Sequence, residues 1–94
     1  RIMTDSAHLL TSVDISLYPL TDDYIPAVAD FIQRISAYPD ITVRRNDLST
    51  QLFGEFDAIM DLLKIEIRHS WQQWGKGVLV IKFLAGDLQG LKDL

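Results

Sequence analysis

Ninety-four residues, 48% of them apolar and 23% charged, suit one domain with a single hydrophobic core and argue against global disorder. Nine Lys plus Arg against thirteen Asp plus Glu give a net charge of −4, and the basic residues are scattered apart from Arg44-Arg45, so the concentrated positive surface needed for nucleic acid is missing. With no cysteine, disulfides, zinc-thiolate sites and thiol catalysis are excluded, and no apolar run approaches the ~20 residues that span a bilayer.

Arg1 to Thr11 carries no clear period and reads as an N-terminal arm; its opening Arg1-Ile2 before Met3 is compatible with a start at Met3 or with processing. The first ten residues lack a basic start and apolar core, so a cytoplasmic location is the default expectation. Val13 to Leu20, V-D-I-S-L-Y-P-L, is predicted as the central strand of a small sheet, with Val13, Ile15 and Leu17 on one face and Asp14, Ser16 and Tyr18 on the other. Thr21-Asp22-Asp23 supplies a helix cap, and Pro26 falls near the first turn, where its missing N–H costs little. Ile25, Val28, Ala29, Ile32 and Ile35 then recur at helical spacing to about Ala37, with Asp30 and Arg34 on a wetter side. Tyr38-Pro39 ends that helix, because a residue before proline is pushed out of the helical region.

Ile41 to Arg45 and Leu48 to Phe53 are predicted as a hairpin around an Asn46-Asp47 turn, broken by Gly54. A long helix follows from about Glu55, with Phe56, Ile59, Met60, Leu63, Ile67, Trp71 and Trp74 as its apolar stripe and Asp57, Asp61, Lys64 and Arg68 as a solvated one. Gly75 caps it, Val78 to Ala85 is a fourth strand, and the end of the chain is a tail without a stable helix. The order βαββαβ predicts an α+β, ferredoxin-like domain: a four-stranded antiparallel sheet with two helices on one face, a core of about 12–87 and a tail over 88–94. V-L-V-I-K-F-L-A is apolar on both sides and, with Leu20 and Phe53, leaves an oily sheet surface, so a homodimer or higher homo-oligomer is expected.

The residues give little support to catalysis. No nucleophile triad, glycine-rich phosphate loop or metal-ligand spacing is present, and no cofactor is called for. His69, beside Arg68 near a helix end, is explained by the helix dipole. Trp71, Trp74, Tyr18 and Phe53 could present aromatic faces to a flat or cationic ring, but helical spacing favours packing in a core or dimer interface. Arg44 and Arg45 point to opposite faces, so at most one serves any single anion site. Asn46-Asp47-Leu48-Ser49-Thr50 places a carboxylate and two hydroxyls together, a set suited to the edge of a small heterocycle; turn chemistry explains the same letters, and both readings stand.

I-S-L-Y-P-L at Ile15 to Leu20, Asp23-Tyr24-Ile25 at a helix start, D-L-S-T at Asp47 to Thr50, then Gly54 and Phe56-Asp57, resemble in order and spacing the YkoF-like family of small thiamine- and hydroxymethylpyrimidine-binding proteins. The resemblance runs from Ser12 to about Asp87. It implies a ferredoxin-like domain that binds the pyrimidine part of thiamine between sheet and helices without chemistry on it, in vitamin B1 salvage or transport. Carried over by position, it nominates Ser16 and Tyr18 from the first motif and Asp47, Ser49 and Thr50 from the second. Ser16 and Tyr18 lie opposite Val13, Ile15 and Leu17, so either the pocket opens away from the helices or part of this set lies elsewhere. The namesake proteins resemble two such domains in tandem, and a single domain suggests a homodimer in their place, or a related member with a different ligand. Two other functions fit the same elements: a small dimeric α+β barrel enzyme acting on an aromatic substrate, with His69 or Asp47 as first residues to test, or a protein-interaction module without a small ligand. The latter would bury Trp71 and Trp74 and leave no cavity near Ser49.

Overall fold

Alternation in the first strand dictates which of its faces is buried. In the computed structural model, which describes residues 9–89, β1 (Leu10–Pro19) carries Val13 and Ile15 almost fully buried beneath two helices. These are α1 (Tyr24–Ile35) and α2 (Phe56–Trp74), both lying on the sheet formed by β1 with β2 (Thr42–Arg45), β3 (Thr50–Glu55) and β4 (Gly77–Ala85). The antiparallel order β2-β3-β1-β4 makes this the expected ferredoxin-like arrangement. Its core is a cluster of Val13, Ile15 and Leu52 from the sheet, Phe31 and Ile35 from α1, and Ile59, Leu62 and Leu63 from α2, closed by Ile41.

The first strand starts earlier than its apolar pattern indicates. Thr11 and Ser12, assigned to the arm and its border, are buried within the sheet because their hydroxyls find acceptors: Thr11 Oγ1 donates to the Leu84 carbonyl and Ser12 Oγ to that of Gly86, both at 2.8 Å. The Leu88 N–H in turn donates to Ser12 Oγ at 3.0 Å, which draws the segment after β4 back to the start of β1. The rest of the arm, residues 1–8, and of the tail, residues 90–94, lies outside the described residues.

Both helices are rotated from the expected stripe, which is buried only at Ile35 on α1 and at Ile59 and Leu63 on α2. On α1 the buried residues are Ala27, Phe31 and Ile35, while Ile25 is 65% exposed. Apolar residues cover more than half of this helix's girth, so periodicity alone leaves its rotation open; Ala27 admits close approach and Phe31 fills the gap. The helix ends at Ile35, with Ser36 Oγ donating to the Ile32 carbonyl, and Asp23 occupies the N-cap without a side-chain cap bond. On α2 the buried residues are Ile59, Leu62, Leu63, Glu66 and Ser70, whereas Met60 and Trp71 are exposed. Its start is capped by Glu55, which accepts the Ala58 N–H at 3.1 Å, and its end by Gly75 at φ 87°, whose N–H bonds the Trp71 carbonyl. Asp57, Asp61, Lys64 and Arg68 are solvated as expected.

Asp30 and Arg34 lie on the partly solvated side as expected, but they do not pair with each other. Each crosses to α2: Arg34 Nε donates to Glu66 Oε1 at 2.6 Å, and Asp30 Oδ2 accepts from Trp74 Nε1 at 3.1 Å with His69 Nε2 at 3.5 Å. Glu66 is only 4% exposed, and its second oxygen accepts the Tyr38 hydroxyl at 2.7 Å. A buried carboxylate is tolerated because both oxygens are hydrogen-bonded and one partner is a cation.

Gly54 does not break the hairpin; it lies within β3. A Cβ there would sit 2.8 Å from Ile41 Cδ1, so glycine is what lets the buried Ile41 fold over the strand. β3 accordingly begins two residues later than expected, at Thr50, and runs directly into α2. On the sheet face away from the helices, Val78, Val80 and Leu84 of β4 are exposed, and Arg44 lies 5.5 Å over the Phe53 ring. The expected oily outer face is present along β4, whereas Phe53, expected to add to it, is itself buried.

The hydrogen bond to Glu66, then burial, hold the Tyr38 hydroxyl above the ordinary tyrosine pKa of about 10. A raised folded-state pKa contributes stability that is complete below the unfolded value and is lost as pH rises through the folded one. Tyr38→Phe is therefore expected to lower stability at neutral pH by about 1 kcal/mol and to flatten the loss of stability above about pH 10. Urea unfolding of both proteins across neutral and alkaline pH reads this; parallel curves would remove the Tyr38–Glu66 bond from the balance.

Candidate functional site

The two sides of β1 are paired over different lengths. Against β3 the pairing ends at Ile15↔Thr50, while against β4 it continues to Pro19↔Gly77. From Ser16 onwards one side of β1 is therefore a free edge, and the β2–β3 chain leaves it through the loop Asn46–Ser49. That notch, floored by Val28, Phe31 and Ile32 of α1, is a cleft of about 360 Å³. Its size is within the ~300–1,000 Å³ common for small-molecule sites.

The loop is held by its own side chains. Asn46 Oδ1 accepts the N–H groups of Leu48 at 2.8 Å and Ser49 at 2.9 Å, and the Asn46 N–H reaches the Ser49 carbonyl at 3.0 Å. The turn thus spans Asn46 to Ser49 rather than Asn46-Asp47 alone. Two bonds tie it to β1: Ser49 Oγ donates to Asp14 Oδ1 at 2.5 Å, and Ser16 Oγ to the Leu48 carbonyl at a longer 3.4 Å. Leu48 is left 88% exposed at the tip.

Ser16, Tyr18, Asp47, Ser49 and Thr50 all border this cleft. The conflict between strand faces disappears because the cleft lies at an edge. Ile15, Leu17 and Thr50 border it from the helix side of the sheet, and Ser16 and Tyr18 from the other. Asp47 and Tyr18 are exposed at the rim, whereas Thr50 is buried. Arg45 also borders the cleft while Arg44 lies on the outer face, so the pair divides as strand geometry requires. Asp14 lies behind the cleft wall and reaches it only through Ser49; its place on the same strand face as Ser16 and Tyr18 is the sequence signal for it.

Other nominations do not converge here. The four aromatics are dispersed: Tyr18 is at the rim, Phe53 beneath Arg44, Trp74 on Asp30, and Trp71, 49% exposed, in a separate shallow groove with Leu20. His69 contacts Asp30 and is not part of the cleft wall. A broader hollow of about 660 Å³ lies on the outer sheet face beside Arg44, Phe53, Lys82 and Leu84, but it is more open to solvent. Among the described residues no group of His, Asp and Glu is arranged to hold a metal ion, and no helix is long and apolar enough to cross a membrane.

The sequence pattern of the YKOF-related family matches residues 10–86. Among solved structures, the chain is similar to a candidate thiamine biosynthesis/salvage protein from Thermotoga maritima, at 25% identity over 79% of this chain and 81% of that one, with a TM-score of 0.72. It also shares its fold with protein SP2199 from Streptococcus pneumoniae, at 21% identity, 87% and 92% coverage and a TM-score of 0.73. A third likeness is to hypothetical protein MJ1052 from Methanocaldococcus jannascii, at 22% identity, 80% and 78% coverage and a TM-score of 0.70. No curated protein matches.

Because Asn46 closes the turn with two bonds on an exposed loop, Asn46→Ala is expected to cost about 1 kcal/mol of stability and to speed amide exchange at Leu48 and Ser49. Hydrogen exchange followed by NMR checks this; unchanged protection of both amides would mean that the turn does not depend on Asn46.

Proposed function

Because the chain belongs to the YKOF-related family, we propose that it binds thiamine or its hydroxymethylpyrimidine moiety in the cleft between β1, the Asn46–Ser49 loop and α1, without performing chemistry on it. The role would be in vitamin B1 salvage or transport. The observation that carries the reading is the gathering of Ser16, Tyr18, Asp47, Ser49 and Thr50 around one cavity of about 360 Å³. The likeness to the Thermotoga candidate thiamine biosynthesis/salvage protein supports the same ligand class.

The chemistry of the wall suits that ligand. An aminopyrimidine offers an exocyclic donor and ring acceptors, which oxygen-bearing side chains and a donor such as Arg45 can meet. The apolar floor of Val28, Phe31 and Ile32 suits a flat ring. A thiazolium is cationic, and the chain carries a net charge of −4 with Asp47 at the rim. The interaction-module alternative is disfavoured by a cavity beside Ser49 and by an exposed Trp71. The enzyme alternative keeps Asp47 at the cleft rim but not His69, which stands with Asp30 between the helices.

The protein would act as a homodimer or higher homo-oligomer. Val78, Val80 and Leu84 expose an apolar strip on the outer sheet face beside Phe53, and burying it against a second copy removes it from water.

Calorimetric titration is expected to show binding of thiamine and of hydroxymethylpyrimidine but not of the thiazole half, and Asp47→Ala to weaken it by about 1.5–3 kcal/mol. Absence of heat with all three compounds at millimolar concentration would refute the ligand assignment. Sedimentation is expected to give a dimer or larger species that Leu84→Glu converts to monomer; a monomeric wild type would reject self-association.

A further inference from the structure

The hydrogen bonds around the cleft determine which protons its polar groups still have to offer. A serine hydroxyl has one proton and two lone pairs, whereas an ionised carboxylate can only accept. Ser49 Oγ stands 2.5 Å from Asp14 Oδ1, so its proton is committed to Asp14. Asp14 does not itself border the cleft; it lies on β1 behind Ser49, opposite Gln51 of β3 and Lys82 of β4. Ser16 Oγ points its proton at the Leu48 carbonyl, though at 3.4 Å this is a weak commitment. Asp47 adds a second acceptor at the rim, while Tyr18, Arg45, Asn46 and Thr50 bring donors to other parts of the wall, so the bias toward accepting is local to Ser49.

We infer that Asp14 is a specificity-determining residue: by holding the Ser49 proton it makes Ser49 an acceptor toward the cleft, so that the position beside Ser49 favours a ligand amino N–H over an oxo group. The inference rests on the pyrimidine reading of the cleft and adds to it a sense of discrimination. An amine gives Ser49 the proton it lacks. An oxo group in the same place sets lone pair against lone pair, and cannot be accommodated by rotating the hydroxyl without breaking its bond to Asp14. Sites built around one hydrogen-bonding pattern discriminate most strongly against groups that leave a polar partner unmatched. Asp14 acts through Ser49 and is a positioning residue, so its removal must change selectivity rather than affinity alone.

The test is calorimetric titration of wild type, Asp14→Ala, Ser49→Ala and the double variant with two probes. One is hydroxymethylpyrimidine with its exocyclic amine; the other carries an oxo group in its place. Wild type is expected to prefer the amine by about tenfold or more, the equivalent of one net hydrogen bond. Asp14→Ala frees the Ser49 hydroxyl to turn and donate, and should bring the ratio to within about threefold of unity. Removing Asp14 in the Ser49→Ala background should leave the ratio unaltered. Asp14→Val, compatible with a strand, replaces Asp14→Ala if the latter does not fold. A folded Asp14 variant that keeps the full preference, or an Asp14 effect that persists without Ser49, overturns the inference and leaves the pyrimidine reading standing. Wild type that binds neither probe overturns both.

Discussion

The unequal pairing of β1 is the constraint on which the candidate site depends. β4 follows this strand to Pro19, but β3 leaves it after Ile15. A strand paired on both sides presents two separate faces, and residues that alternate along it cannot meet in one pocket. At a free edge the faces converge. Ser16 and Tyr18 can then share a cleft with Leu17 and Thr50, and the Asn46–Ser49 loop becomes its far wall.

The floor of the cleft is set by the packing of α1. Ala27, Phe31 and Ile35 turn toward the sheet, which brings Val28 and Ile32 to the cavity beside the end of β1. The helix is held against α2 by two polar ties near its C-terminal half: Arg34 and Tyr38 on the buried Glu66, and Asp30 on Trp74 and His69. Such bonds are directional where hydrophobic contacts are not, and removing one partner of a buried carboxylate costs its desolvation in full. They fix the rotation of a helix whose apolar residues would permit more than one.

The site is built on a division of labour between residues that would meet a ligand and residues that orient them. Asn46 spends its side-chain oxygen on the loop backbone, and Asp14 spends a carboxylate oxygen on Ser49. The outer sheet face, with Phe53 under Arg44 and an apolar strip along β4, is a separate surface. Recognition of a small molecule and association with a second copy thus make demands on different parts of the same sheet.

Alternation and punctuation along the chain were sufficient for the order of elements, the ferredoxin-like sheet and the burial of Val13 and Ile15, because strand and helix periods are local properties. Family resemblance in two short motifs nominated the five polar residues that border the cleft. The start of β1 at Leu10 was illegible because Thr11 and Ser12 are buried only by virtue of acceptors more than seventy residues away. Gly54 has the sequence character of a strand breaker, but in the fold it continues β3 with Ile41 packed over it. Phe31 and Glu66 were passed over because the rotation of each helix is decided by its neighbours and not by its own period. The role of Asp14 likewise needed the fold: a hydrogen bond to a residue thirty-five positions away exists only once the hairpin loop is laid across the free edge.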